Sequence, residues 1–355
     1  MKTRLLITGF LSIAIALLLC NTALASPKGD FTKPYKKEFN IDKAASLKIN
    51  SEFTDIKAYN WDKDVISIEV IVSVDARNES KAEDKFNKVI VEIEGSPTLV
   101  SLTTGFKNTF SNNEHNHLEI EALIYYPSHI QLDIESEFGS CLFEDIDKSV
   151  HIKMEYGDFD AQNLNHNDLD IDVEFGKIRL QKFQSGKVEV SYGGFETQYA
   201  GMLNLDSEFS NIEIEEIEQI ELETSYDKVY IGKCNVAFIE SEFSSIRLDE
   251  ISKSLNMEIA YGNFNLKSIR SDFDIIHIQS EFTGINLYFN EPLNFAFKAE
   301  TEMGDFNYPK ALAKITFIEK ELMELSLEGY FGNAKNQEPK LILSLEHANA
   351  KIKVK

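Results

Sequence analysis

Apolar and polar residues alternate along most of this chain with a period of two. Leu169, Ile171, Val173 and Phe175 are separated by Asp170, Asp172 and Glu174, the pattern of a strand with one buried and one wet face. Gly176-Lys177 follows, and Ile178 and Leu180 then restart the alternation around Arg179. The parity has slipped by one residue, which flips the faces unless the backbone bends at the Gly-Lys pair. The same phrase recurs as Phe138-Gly-Ser-Cys141, Tyr156-Gly-Asp-Phe159, Tyr192-Gly-Gly-Phe195 and Phe209-Ser-Asn-Ile212. It continues as Tyr226-Asp-Lys-Val229, Phe243-Ser-Ser-Ile246, Tyr261-Gly-Asn-Phe264 and Phe282-Thr-Gly-Ile285. From Phe138 to Phe282 the aromatics are spaced by 18, 19, 17, 17, 17, 17, 18 and 21 residues. Such regularity means one small unit stacked on copies of itself. Each unit reads as strand, sharp bend, short strand and polar turn, with turns such as Asp147-Lys-Ser149, Asn165-His-Asn167 and Gln184-Ser-Gly186. No proline lies between Pro127 and Pro292, as continuous strand pairing requires.

Three arrangements share this period. Each unit can be one coil of a solenoid, with Phe and Tyr mixed in one ladder. Two units can make one coil, with Phe and Tyr on separate walls. A long antiparallel meander is the third. The first is preferred, because a unit already holds two strands and two turns. In all three the aromatics are expected to form a buried row. The residue two before each aromatic also points inward by parity: Ser136, Ser207, Ser241 and Ser280 before most of the Phe units, and Met154, Val190, Thr224 and Ile259 before Tyr.

The fold expected is therefore an all-β repeat β-solenoid of about 17–19 residues per unit, capped at both ends. Residues 1–25 read as a signal peptide: Lys2 and Arg4, an apolar run from Leu5 to Leu19, and Ala23-Leu24-Ala25 as the cleavage site. The run is shorter than the roughly 20 residues that a spanning helix needs. Cys20 follows three leucines rather than the small residue a lipidation box wants. Residues 26–39 read as a flexible mature N-terminus and 40–125 as a β-rich N-terminal cap. Within it, Ser51-Glu-Phe53-Thr-Asp-Ile56 is an early copy of the phrase, Ile66 to Val74 a strand, Glu79 to Lys88 a short helix and 108–116 a hairpin loop. The solenoid is expected over 126–310, with Met303-Gly-Asp-Phe306 as a decayed last copy. Residues 311–355 are expected to form the C-terminal β cap, with Gly329-Tyr-Phe-Gly332 as a turn.

The formal charge is −23, which repels phosphate backbones and anionic headgroups and argues against nucleic-acid binding. Cys141 and Cys234 lie 93 residues apart. In a stack that separation is on the order of 25 Å, against about 7 Å for a disulfide, so both are expected to be unpaired.

Four features follow one another along the chain: the signal peptide, Ser51-Glu-Phe53-Thr-Asp-Ile56 with Trp61-Asp-Lys-Asp64 after it, the aromatic-Gly-x-apolar repeats and Gly329-Tyr-Phe-Gly332. In this order they resemble the bacterial adhesin-like families of exported domains of unknown function and their head-GIN relatives. The resemblance covers most of residues 40–355. It implies an exported β-solenoid without enzymatic activity, in the periplasm, outer envelope or extracellular space. An envelope or extracellular protein or a glycan is the expected partner, with no membrane-spanning segment after signal cleavage.

Candidate chemistry is sparse. Glu114, His115 and His117 have a ligand-like spacing, but their polar surroundings read as a solvated loop. Glu137, Glu155, Glu174, Glu208, Glu242 and Glu281 precede aromatics and can form an outward carboxylate ladder. Such a ladder could hold Ca²⁺ weakly, although the glycine-rich calcium repeat is absent. No nucleophile elbow, phosphate loop or zinc-protease helix occurs. No catalytic, cofactor-binding or metal residue is therefore assigned. A carbohydrate-active solenoid, lyase or glycan binder, is the alternative, since paired carboxylates cleave glycosidic bonds.

Overall fold

The computed structural model describes residues 30–107, 118–335 and 337–355. The signal-like segment, Cys20 and the 108–116 loop with Glu114, His115 and His117 lie outside the described residues.

The chain opens with β1 (Asp30–Asn40), β2 (Ser46–Glu52), β3 (Thr54–Asn60) and β4 (Val65–Asp75). Helix α1 (Glu79–Phe86), β5 (Val89–Gly95), β6 (Leu99–Phe106) and β7 (Leu118–Tyr126) follow. Next come β8 (Gln131–Glu137), β9 (Cys141–Phe143), β10 (Val150–Glu155), β11 (Phe159–Leu164) and β12 (Leu169–Glu174). Five long strands are β13 (Lys177–Ser191), β14 (Gly194–Glu208), β15 (Asn211–Ser225), β16 (Lys228–Glu242) and β17 (Ser245–Ala260). Then come β18 (Asn263–Ile269), β19 (Ile275–Glu281), β20 (Gly284–Phe289), β21 (Ala296–Glu302) and β22 (Asp305–Asn307). The chain closes with β23 (Ala313–Lys320), β24 (Glu324–Phe331), β25 (Pro339–Glu346) and β26 (Asn349–Val354).

Parallel register settles the coil. Ile178 pairs with Phe195 and Phe195 with Ile212, while Val188 pairs with Leu205 and Leu205 with Leu222. Each step is one repeat unit, so one unit is one coil; the two-unit coil and the meander are excluded. A coil has two walls. Wall A ends at the aromatic corner and wall B begins after it. In β13 to β17 the ladder runs on through the opposite corner, so the polar turns expected there are bends within continuous strands.

Along the stack wall A runs β5-β6-β2-β8-β10-β12-β13-β14-β15-β16-β17-β19-β25-β21-β24-β23. Wall B runs β1-β4-β7-β3-β9-β11-β13-β14-β15-β16-β17-β18-β20-β26-β22. Chain order is inverted at both ends. The β2–β3 coil sits between the β6–β7 and β8–β9 coils, and the β25–β26 coil sits between β19–β20 and β21–β22. Each of these coils, from near a chain end, thus has both backbone edges paired. Antiparallel strands occupy the outer positions at both ends of wall A and at the N-terminal end of wall B.

Three expectations change here. Residues 30–39 of the segment read as flexible belong to β1, which pairs with β4, Phe39 opposite Ile66 and Tyr35 opposite Val70. The 40–125 and 311–355 regions each contain true coils as well as capping hairpins. Gly329–Phe331 lies in β24 rather than in a turn, and only Gly332 has a positive φ, at 64°. The helix forms as expected, with the Asn78 side chain accepting the Lys81 N–H and Ala82 and Phe86 buried.

Inward rows of Ile, Leu, Val and Phe fill the interior, Val173, Ile214, Leu222, Ile239 and Leu248 among them. Burying each such side chain contributes about 1.5–3 kcal/mol. Cys141 and Cys234 are free and buried. Burial pushes each thiol up to about 12, which makes both inert.

Candidate functional site

The aromatic corner is built differently from the way parity implies. Phe138, Tyr156, Phe175, Tyr192, Phe209, Tyr226, Phe243, Tyr261 and Phe282 all have φ between 49° and 58°. Phe53, Met303 and His347 occupy the same corner in their coils, at φ of 52°, 49° and 49°. Among the described residues these are all the non-glycine positions with positive φ. The left-handed residue is thus the aromatic itself, and it absorbs the slip that the sequence suggests for the pair after it. Its side chain turns outward. The aromatics are therefore not core residues: Phe175 is 41% exposed and Tyr226 51%.

The ladder does not break at the corner. The Phe175 N–H donates to the Ser191 carbonyl, that of Tyr192 to Glu208, and that of Phe282 to Glu346, at 2.9–3.0 Å. The residue after each aromatic turns inward, where space is scarce. A Cβ on Gly176 would lie 1.9 Å from the Gly157 carbonyl oxygen, and one on Gly193 would lie 1.8 Å from that of Gly176. Other coils solve the corner with a hydroxyl. Thr54, Ser210, Ser244 and Thr283 each donate to the carbonyl of the residue two before, at 2.8–3.0 Å. Asp227 is the exception. Its buried carboxyl accepts from the Ser207 and Thr224 hydroxyls, both at 2.6 Å, and from the Ser210 N–H.

Outside the corner the rings form one column. Phe53, Phe138, Tyr156, Phe175, Tyr192 and Phe209 stack in that order with centroids 4.6–5.0 Å apart. Tyr226, Phe243, Tyr261, Phe282 and His347 continue it at 4.7–5.0 Å. Interplanar angles stay between 2° and 14°. Ten steps at strand spacing carry the column over roughly 48 Å. A left-handed non-glycine residue costs about 1–2 kcal/mol. A stacked pair contributes about 0.5–1.5 kcal/mol beyond its buried area. The two nearly offset, so the column adds little net stability and the aliphatic interior supplies most of it.

The ring faces cover one another, so the column presents ring edges, with the phenols of Tyr156, Tyr192, Tyr226 and Tyr261 at intervals. Beside it on wall A runs the expected carboxylate row. In register it reads Glu52, Glu137, Glu155, Glu174, Ser191, Glu208, Ser225, Glu242, Ala260, Glu281, Glu346 and Glu302. In its middle the glutamates alternate with Ser or Ala, which doubles the carboxylate spacing to about 10 Å and halves the repulsion of neighbours. Among the described residues no three His, Cys, Asp or Glu side chains gather as a metal site.

Elsewhere the carboxylates are tied down or lie on open surface. On wall B the Arg179 guanidinium holds Asp158 at 3.0 Å and Asp160 at 3.1 Å, beside a shallow groove of about 450 Å³. Near the C-terminal end of wall A an open acidic trough of about 810 Å³ runs from Glu240 to Glu324.

Sequence reading recovers the corner's position and the glutamate row but puts the rings on the wrong side. The available signal is the inward residue directly after each aromatic, small or hydroxyl-bearing in every coil but that of Tyr226, where it is Asp227. With that residue inside, its predecessor has to turn out.

Residues 44–337 match the family model described as Toastrack DUF4097. No curated protein matches the chain. A crystal structure described as a putative adhesin from Parabacteroides merdae is 14% identical with a TM-score of 0.40, over 71% of this chain and 94% of that one. One described as a putative lipid binding protein from Parabacteroides distasonis is 13% identical with a TM-score of 0.35, over 71% and 94%. A putative adhesin from the same organism is 12% identical with a TM-score of 0.33, over 70% and 93%.

Proposed function

The chain belongs to the Toastrack DUF4097 family, and we propose that it is an exported, non-enzymatic, adhesin-like interaction or scaffold module of the cell surface or envelope. The observation that carries this reading is the exposed aromatic column. Left-handed corners are least strained with Gly or Asn, yet this chain places Phe or Tyr there in coil after coil. The stacking gained only balances the strain. What the aromatics add is a continuous strip of ring edges, one per coil, with glutamates along its margin at every coil or every second coil. Such a strip suits a long partner lying along the axis, an envelope or extracellular protein or a glycan chain, better than a small substrate.

The test uses Asn, which tolerates the left-handed conformation. A variant with Tyr192, Phe209, Tyr226 and Phe243 all replaced by Asn keeps the corners and removes the middle of the column. Cell fractionation locates the mature protein, and pull-down from envelope fractions identifies what it holds. The expected result is envelope or extracellular localisation, with the partner lost from the fourfold variant at nearly unchanged melting temperature. Full retention of the partner would remove the column from the reading. Turnover of a polysaccharide by the native protein would replace it with the carbohydrate-active alternative.

A further inference from the structure

A second surface, independent of the column, lies at the C-terminal end of wall A. Among the described residues the two walls end in four strand edges, and three of them are blunted. β1 carries Pro34, which lacks an N–H, together with Lys33, Lys36 and Lys37. β5 has its Ile93 carbonyl taken by the Lys37 ammonium at 2.7 Å. β22 is three residues long. The fourth edge, β23, also carries lysines, Lys314 and Lys320, and a bulge between Ile315 and Phe317, yet it has no proline, is eight residues long, and among the described residues pairs only with β24. Seven of its eight residues are exposed.

Its register with β24 assigns its faces. Ile315 lies opposite Gly329, Ile318 opposite Leu327 and Lys320, at the strand end, opposite Leu325, on the side that continues the solenoid interior. Phe317 lies opposite Glu328 and Glu319 opposite Ser326, on the outer side. Ile318 is 61% exposed although it sits on the interior-facing side. An uncovered apolar strand edge of this kind is a template for one more strand.

The outer side says what that strand must carry. The trough beside β23 is lined by ten glutamates and by no lysine or arginine. Glu319, Glu321 and Glu324 come from the hairpin, and Glu281, Glu302 and Glu346 are among those from the wall. Lys298, outside the lining, reaches Glu300 at 2.8 Å. A second copy of this chain would bring a second such trough and a second large negative charge to the same edge, which disfavours it.

We propose that β23 takes up, as an added strand, an extended segment of a basic protein in which Lys or Arg alternates with apolar residues. Backbone hydrogen bonds to β23 hold the segment. Its apolar side chains cover Ile315 and Ile318, and its cationic side chains lie beside Glu319 at the outer end of the glutamate trough.

The test uses the mature chain and three synthetic eight-residue peptides: alternating Lys-Val, the same composition in blocks, and alternating Lys-Val with N-methyl groups on one backbone edge. Fluorescence anisotropy at about 150 mM salt, where unpaired surface charges are largely screened, reads the affinity. The alternating peptide is expected to bind at least about tenfold more tightly than the block or N-methylated peptides. Replacing Glu319, Glu321 and Glu324 together by Gln is expected to weaken it by about tenfold or more. A second variant, Ile318→Lys, keeps every glutamate of the trough and is expected to weaken binding through the lost apolar contact and the added positive charge. Melting temperatures confirm that both variants fold. Equal affinity for all three peptides would reduce the interaction to general attraction for polycations and overturn the proposal. Binding unaffected by either variant would overturn it too. Sedimentation showing a dimer that Ile318→Lys dissociates would assign the edge to a second copy instead.

Discussion

At the scale of single residues, the corner sets two opposite demands side by side. The aromatic must accept a left-handed backbone, and its successor must be small or carry a hydroxyl that turns back to the carbonyl two before. Phe209→Val places a β-branched residue at positive φ and removes two ring contacts, with an expected loss of about 2–3 kcal/mol. Phe209→Asn is expected to cost about 1 kcal/mol or less, since Asn visits this region readily. Urea unfolding of both variants measures the difference, and equal losses would show that backbone strain plays no part. Gly193→Ala would push a methyl group against the Gly176 carbonyl, with an expected loss of more than about 3 kcal/mol. The buried thiols belong to the same scale. With Cys141 and Cys234 pushed up to about 12, a thiol reagent at pH 8 is expected to modify neither until denaturant is added. Rapid native labelling would contradict their placement inside the coils.

At the scale of elements, the two intercalated coils matter most. β25 and β26 lie near the end of the chain but are paired on both sides. Hydrogen exchange is therefore expected to protect their amides about as well as those of β19 and β20, while β23 exchanges fast. Uniformly fast exchange over residues 339–354 would mean that the closing coil is peripheral. Much of this level is legible in the sequence. The period of the aromatics, the alternation within each strand and the lack of proline give the coil, the inward Ser and Thr positions and the unpaired cysteines. The insertion of β2–β3 and β25–β26 out of chain order is not legible, because every coil carries the same local pattern and a pattern does not say which copy is its neighbour. The exposed rings escape for a different reason. Parity counting treats each residue as extended, and one left-handed residue per coil reverses its result at that position.

At the scale of the whole molecule, the chain carries a formal charge of −23, relieved locally by pairs such as Arg247 with Asp249 at 2.7 Å. Hydrogen bonding and charge from Arg247 hold the Asp249 carboxyl below its usual range. Its contribution to stability is therefore complete above the ordinary aspartate range and is lost as pH falls through the lowered native value. It remains small, because the pair is largely solvated. The diffuse repulsion is the larger effect. Raising ionic strength from about 10 to 150 mM shortens the screening length from roughly 30 to 8 Å and is expected to raise the melting temperature. We further propose that the glutamate row is a solvated face, so that NaCl and CaCl₂ at matched ionic strength act alike. An extra rise with Ca²⁺ would reveal a specific cation site.

The column itself is open to direct measurement by hydroxyl-radical footprinting with mass spectrometry. Tyr156, Tyr192, Tyr226, Phe209 and Phe243 are expected to oxidise readily on the native protein, whereas Phe195 and Phe264, fully buried one bend away, stay protected. Corner rings as protected as Phe195 and Phe264 would put the aromatics back inside the solenoid and contradict an exposed stack as its functional face.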